Sequence, residues 1–143
     1  MPGIVVGVDG SDSSQQALEW AVKHAALEHV PLTVLAVHEV AASAWTGNPI
    51  VYPEDRPDEE KARQAAQEEV NKIVSQLDTK PDSVTVRGVS GSPANLLIDA
   101  SSDADMVVVG SRGAGGFPLL RVGSVAGKVV SHAECPVVVV RAR

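Results

Sequence analysis

The sequence predicts an α/β fold, a doubly wound parallel sheet of five strands with helices on both faces. Five short apolar, β-branched runs alternate with four helical patterns, and the gaps between runs are long enough for crossover helices. The first, fourth and fifth runs are nearly continuous apolar blocks, as expected of strands covered on both faces. Aromatics are only 3% of the chain, so the core has to be built from Val, Leu, Ile and Ala.

The elements follow in order. Residues 4–8 form the first strand. Leu18, Ala21, Val22 and Ala25 then sit at i, i+3, i+4 and i+7 behind the capping-type residues Ser11, Asp12 and Ser13, which marks the first helix. Residues 32–37 are the second strand. Ala62, Ala66, Val70, Ile73 and Leu77 make a longer helical stripe after Pro57, and Asp58, Glu59 and Glu60 suit its positive N-terminal end. The third strand, 84–89, alternates apolar Val84 and Val86 with Thr85 and Arg87 and belongs at an edge. Ser92 and Pro93 make an N-cap and first-position pair for a short helix through Leu97 and Ala100. Residues 106–109 are the fourth strand. Ala126, Val129, Val130 and Ala133 form the last helical stripe, opened by Gly123 and Ser124, and 137–140 are the last strand. The one long irregular connection, 41–57, holds Trp45, Gly47, Pro49 and Pro53; connections of that length are functional or mobile.

At 143 residues the expectation is a single domain over 1–143. No apolar run reaches the roughly 20 residues that cross a bilayer, and the start lacks a secretory pattern. With the lone Cys135, which permits no internal disulfide, this points to the cytoplasm. The net charge of −6 argues against nucleic acid as partner. An acidic protein can still bind a nucleotide if its phosphates meet backbone amides, a metal ion or a few local cations.

Two segments supply such amides. Gly7-Val8-Asp9-Gly10-Ser11-Asp12-Ser13 follows the first strand, and Gly110-Ser111-Arg112-Gly113-Ala114-Gly115-Gly116 follows the fourth. In open α/β sheets ligands bind beyond the carboxyl ends of strands. Glycines there admit a ligand close to the backbone, successive amides form an anion site, and a helix starting at Ser124 adds unpaired N–H groups. Taken alone, the glycines Gly110, Gly113, Gly115 and Gly116 would fit a plain flexible turn equally well.

The spacing Gly110-x2-Gly113-x9-Gly123-Ser124 resembles the ATP-binding signature of the universal stress protein family. The likeness extends over nearly the whole chain: Ile4-Val5-Val6-Gly7-Val8-Asp9-Gly10-Ser11, Gly91-Ser92-Pro93, Asp105 through Ser111, and His132-Ala133-Glu134-Cys135-Pro136 before the four valines. The resemblance implies a Rossmann-like sheet in the order 3-2-1-4-5. It implies that Asp9 lies near ribose and phosphates or a shared Mg²⁺, and that the backbone of Val37 meets the adenine edge. It places Gly110, Gly113, Gly123 and Ser124 against phosphate and ribose, with Val125 following, and brings Gly7, Ser11, Gly91, Ser111, Gly115 and Gly116 into the same set. Arg112 stands at a variable position of the signature and is a candidate phosphate contact. Asp9 has a second reading as the cap of the first helix, and Val37 is also simply a core residue.

Other motifs fail. Gly127-Lys128 lacks the P-loop's earlier glycine and its following Ser or Thr, and there is no G-x-S-x-G elbow. His24, His29, His38 and His132 show no metal-ligand spacing; His24 and His29 are expected on a helix surface. Cys135 is expected to be a small buried hydrophobe and Trp20 half-buried. Arg121 reads as a solvated charge, and Trp45 as a cover for the site or an anchor for its loop.

The function expected is therefore an ATP-binding signalling module of the stress response, without a catalytic set and with at most slow hydrolysis. Cyclic AMP is the alternative ligand, and adenylate transfer by a related fold a weaker one. The resemblance also implies a homodimer through the last strand, whose edge carries neither charge nor proline. A downstream protein partner is expected, of unknown identity.

Overall fold

The computed structural model describes residues 2–39, 56–111 and 123–141. Within them β1 (Ile4–Val8), α1 (Asp12–Glu28), β2 (Pro31–Glu39), α2 (Arg56–Ser75), β3 (Ser83–Gly91), α3 (Pro93–Ala100), β4 (Met106–Gly110), α4 (Ser124–His132) and β5 (Val137–Val140) alternate strictly. The strands form one parallel sheet ordered β3-β2-β1-β4-β5. β1 lies in the middle, with Val6 flanked by Val34 on one side and Val108 on the other. The chain winds outward through β2 and β3, then returns to start again at β4. The strand order thus reverses beside the carboxyl end of β1, where open α/β sheets hold their ligands.

Strand alternation sorts the core into two layers. Ile4, Val6, Leu32, Val34, Ala36 and Val108 face α1 and α2 and pack on Leu18, Val22, Ala66 and Val70. Val5, Leu35, Val37, Val107 and Val109 face α3 and α4 and pack on Leu97, Ala100, Ala126 and Val129. Val5 and Val6 are both fully buried, as both faces of a central parallel strand should be.

The helix ends show how local chemistry sets the boundaries. Ser11 is the N-cap of α1; its hydroxyl accepts from Ser14 N at 3.2 Å. α1 stops at His29, which takes a left-handed φ of 54° and donates to the carbonyls of Ala25 and Ala26. His29 is therefore the helix terminator and not one of its surface residues. His24 lies on the helix and stacks on half-buried Trp20, ring centroids 4.7 Å apart. Pro57 falls in the first turn of α2, where a missing N–H costs nothing. Ser92 caps α3 by position and Pro93 follows it, but the Ser92 hydroxyl makes no capping bond.

Two expectations about the last elements need correction. β5 lies at the edge that the resemblance implies, but all four of its valines are only half-buried, short of the full cover on both faces that its continuous apolar run predicts. Val130, counted in the apolar stripe of α4, is 54% exposed. β3 forms the opposite edge, with Ser83, Thr85 and Arg87 exposed.

Gly88 lets α2 lie directly on β3: a Cβ there would collide with the backbone carbonyl oxygen of Glu59. Gly88→Ala should therefore destabilise the protein by about 1–3 kcal/mol, the usual range for overpacking. Gly127, inside α4, has nothing within 4 Å of an added Cβ. Gly127→Ala should instead stabilise by about 0.5–1 kcal/mol. Denaturant unfolding of the two variants checks both; a Gly88→Ala midpoint at or above that of the parent protein would contradict the packing account.

Candidate functional site

The carboxyl end of β1 runs into a tight, self-bonded turn. Gly10 adopts φ of 85°, which a side chain would resist, and this reverses the chain into α1. Asp9 Oδ1 accepts from Ser11 N at 2.9 Å and from Ser11 Oγ at 2.6 Å. Asp9 N donates to Ser14 Oγ at 3.2 Å, and Ser14 Oγ donates to Ser11 O at 3.0 Å. Asp9 is thus not the cap of α1; it holds the residue that is, an Asx turn two residues long. Ser14, 5% exposed, is the pin of this network.

A cavity of about 40 Å³ opens at this end of the sheet, lined by Gly7, Asp9, Val37, Gly110 and Val125 together with Ser14, Pro93 and Leu97. Five segments far apart in sequence meet there. Gly7 admits α3, since a Cβ would lie 2.8 Å from Leu97 Cδ1. Gly110 admits the start of α1, since a Cβ would lie 2.5 Å from Ser13 Oγ and 2.8 Å from Ser13 backbone. A second cavity of about 170 Å³ adjoins across Val8, Asp9, Ser14 and Val37, between α1 and α2, and includes Gln15 and Glu69.

Beyond β4 the chain is tied down at Ser111, only 9% exposed. Ser111 N donates to Val140 O at 2.9 Å, and Ser111 O accepts from Gly123 N at 2.6 Å. Gly123 is the N-cap of α4, with Gly127 N bonded to its carbonyl at 2.9 Å. Helix geometry leaves the amides of 124–126 without intrahelical acceptors, and these point out of the α4 N-terminus. The Gly123 amide itself is engaged by Ser111. Gly91 lies apart from the cavity lining: with φ of 145° it turns β3 into α3, and that backbone angle is why glycine stands there. Arg112, Gly113, Gly115 and Gly116 lie outside the described residues, as do Trp45, Arg121 and most of the 41–57 connection.

Sequence reasoning missed Ser14, Pro93, Leu97 and Val109 as lining residues. Only Ser14 left a trace, as a third hydroxyl in the stretch from Ser11 to Ser14. His38, which shows no metal-ligand spacing in sequence, has its Nε2 3.7 Å from Asp58 Oδ2, an ion pair when the ring is protonated. Cys135 is half-buried, less enclosed than expected, with Sγ 3.4 Å from Pro136 O. Burial pushes its thiol up from the ordinary range, away from the thiolate form. No helix among the described residues is long and apolar enough to cross a membrane.

A larger concavity, about 560 Å³, lies between α1 and β5 and is lined by Gln16, Glu19, Trp20, Lys23 and residues 138–141. Its lining joins a floor of valines to Gln16, Glu19, Lys23 and Arg141, and it contains none of the strand-end residues Gly7, Asp9, Val37 and Gly110.

Comparison with known proteins agrees with this geometry. The model of the universal stress protein family matches residues 2–141. A universal stress protein of Mycolicibacterium smegmatis is 37% identical over 140 residues, a match covering 96% of this chain and 47% of that protein. The chain thus spans about half the length of the curated relatives it matches. Among solved structures, the universal stress protein UspA from Lactobacillus plantarum superposes with a TM-score of 0.78 at 26% identity, covering 98% of this chain and 97% of that one. The universal stress protein from Archaeoglobus fulgidus in complex with dAMP superposes with a TM-score of 0.61 at 25% identity, covering 98% and 97%. With matching motifs, strand order and family model, the chain belongs to the universal stress protein family.

Proposed function

We propose that this domain is an ATP-binding module of the stress response, acting through occupancy of its site more than through turnover. The observation that carries the reading is the convergence of Gly7, Asp9, Val37, Gly110 and Val125 on one cavity beside the start of α4. The dAMP complex of the Archaeoglobus fulgidus relative supports an adenine nucleotide as the ligand class. In this reading the adenine edge meets the backbone of Val37, and the ribose lies near Asp9 and Gly110. The phosphates reach the amides that begin α4, together with those expected at Gly113.

Mg²⁺ fits this site only as a companion of the phosphates. Among the described residues no group of three or more His, Cys, Asp or Glu is placed to hold a metal. Mg²⁺ in nucleotide sites uses one or two carboxylates plus phosphate oxygens, and Asp9 would supply the carboxylate. Nucleotide released from denatured protein and weighed by mass spectrometry should be ATP. Calorimetry should show that ATP binding needs Mg²⁺ and is lost in Gly113→Val, while unfolding curves of that variant stay unchanged. Recovery of cyclic AMP instead would reassign the ligand, and unchanged affinity in Gly113→Val would remove the glycine loop from the site.

Rapid hydrolysis needs an oriented water and a group to stabilise developing charge. Gln15 and Glu69 are polar, but they line the cavity on the α1–α2 side, across Asp9 and Val37 from the start of α4. Turnover should therefore stay below roughly one per minute, against a typical enzyme median of about 10 per second. A rate near that median that disappears in Asp9→Ala would make the protein an ATPase.

We also assign a homodimer to the β5 edge. Val138 and Val140 are half-buried on the floor of the α1–β5 groove, and the strand's outer N–H and C=O groups have no neighbouring strand among the described residues. Antiparallel pairing with a second copy across a two-fold axis would satisfy both edges. Light scattering should find a dimer at micromolar concentration and a monomer when Val138→Lys and Val140→Lys are combined. A native monomer, or a variant still dimeric, would exclude this interface.

A further inference from the structure

We infer that Ser111 couples occupancy of the nucleotide site to the order of the β5 edge. The inference rests on the ATP-binding reading above but does not require the dimer. Gly110 and Val140 are register partners at the last rung of the β4–β5 ladder. The next residue, Ser111, donates its N–H to the Val140 carbonyl at 2.9 Å and accepts from the Gly123 N–H at 2.6 Å. One residue therefore joins the end of the edge strand directly to the cap of α4. Ser111 is 9% exposed, so both bonds are largely shielded from the water that would otherwise compete for them.

The consequence is physical and directional. Phosphates held by the first-turn amides of α4 fix the position of that turn. Gly123, its cap, then fixes the Ser111 carbonyl, and the Ser111 amide fixes the Val140 carbonyl. β5 depends on this more than the other strands do. It has four residues, all half-buried, and is paired on one side only. Edge strands of that kind open at low free-energy cost. A ligand that suppresses opening at Ser111 thus suppresses opening of β5. By linkage, whatever orders β5 from outside raises nucleotide affinity by the same factor.

β3 supplies an internal control. It is also an edge strand, but it has nine residues. Two strands, β2 and β1, separate it from β4 and so from Ser111, and it reports only the general stabilisation that any ligand gives. The experiment is hydrogen–deuterium exchange of the full chain with Mg²⁺ alone, with saturating MgATP and with saturating adenosine, which lacks phosphates. Calorimetry under the same conditions checks occupancy. The expected result is that MgATP slows exchange in a peptide covering residues 136–141 about five-fold or more beyond its effect on β3, a factor typical of allosteric coupling. Adenosine should not produce that difference. In Ser111→Pro, which deletes the N–H given to Val140, the excess slowing of β5 should vanish at saturating MgATP.

Equal slowing of β5 and β3 in wild-type protein that calorimetry shows to be occupied would overturn the coupling while leaving the binding reading intact. Absence of any heat of MgATP binding would overturn both. Should Ser111→Pro fail to fold, the wild-type comparison of MgATP against adenosine decides by itself: excess slowing by both ligands alike refutes a route through the phosphates.

Discussion

Parallel pairing is the constraint from which the rest of this molecule follows. A parallel strand can be reached only by a crossover, so each of the four connections between successive strands is made by a helix lying across one face. All carboxyl ends then point the same way, and every turn that leaves a strand there joins one rim. Placing β1 in the middle brings Gly7 and Asp9 between the end of β2, at Val37, and the end of β4, at Gly110. The site is a product of winding direction before it is a product of any side chain. Val5 and Val6, fully buried on opposite faces, hold that winding in place.

Glycine serves two masters at this rim. Gly7 and Gly110 look in sequence like a ligand's clearance, and both line the cavity. Yet the Cβ each lacks would run into protein, Leu97 in one case and Ser13 in the other. Their first physical role is to let α3 and the start of α1 close over the strand ends. The cavity exists because helices come this near, so helix packing and ligand approach make the same demand on the same atoms. Gly10 differs: an added Cβ meets nothing within 4 Å, and only its φ of 85° calls for glycine.

Legibility in the sequence followed how local each feature was. β1 and β5 match their apolar runs at both ends, because a run bounded by glycine or proline marks its own limits. β2 and β3 each extend past their runs, through His38 and Ser90, since polar residues join a ladder when the neighbouring strand offers partners. Of the glycines singled out in the sequence, Gly7 and Gly110 line the cavity, while Gly113, Gly115 and Gly116 lie outside the described residues. The role of Asp9 within its turn was not readable, because choosing Ser11 as cap depends on Gly10 turning to positive φ. Pro93 and Leu97 enter the lining only through packing of α3 on the sheet, and no local signal carries that. The incomplete burial of β5 has the same origin: a continuous valine run fits full cover on both faces or a half-covered edge strand, and periodicity cannot separate the two.

The two edges of the sheet resolve that ambiguity when set side by side. On β3, the residues facing away from α2 are Ser83, Thr85 and Arg87, and they are exposed. That edge is polar where no helix covers it, as edges that remain in water are. On β5, the residues facing the α1 side are Val138 and Val140, which α1 covers only in part, leaving a groove of about 560 Å³. Four residues at about 3.3 Å each give an edge near 13 Å long, too short for backbone pairing alone to bury the roughly 800 Å² per partner of a stable association. Backbone pairing at β5 therefore cannot act alone. An association there has to draw in the groove as well, with Trp20 as its aromatic wall and Val138 and Val140 as its floor. The same Val140 that a partner would press upon is the residue whose carbonyl Ser111 holds, so the outermost valine of the sheet lies one peptide away from the site at its centre.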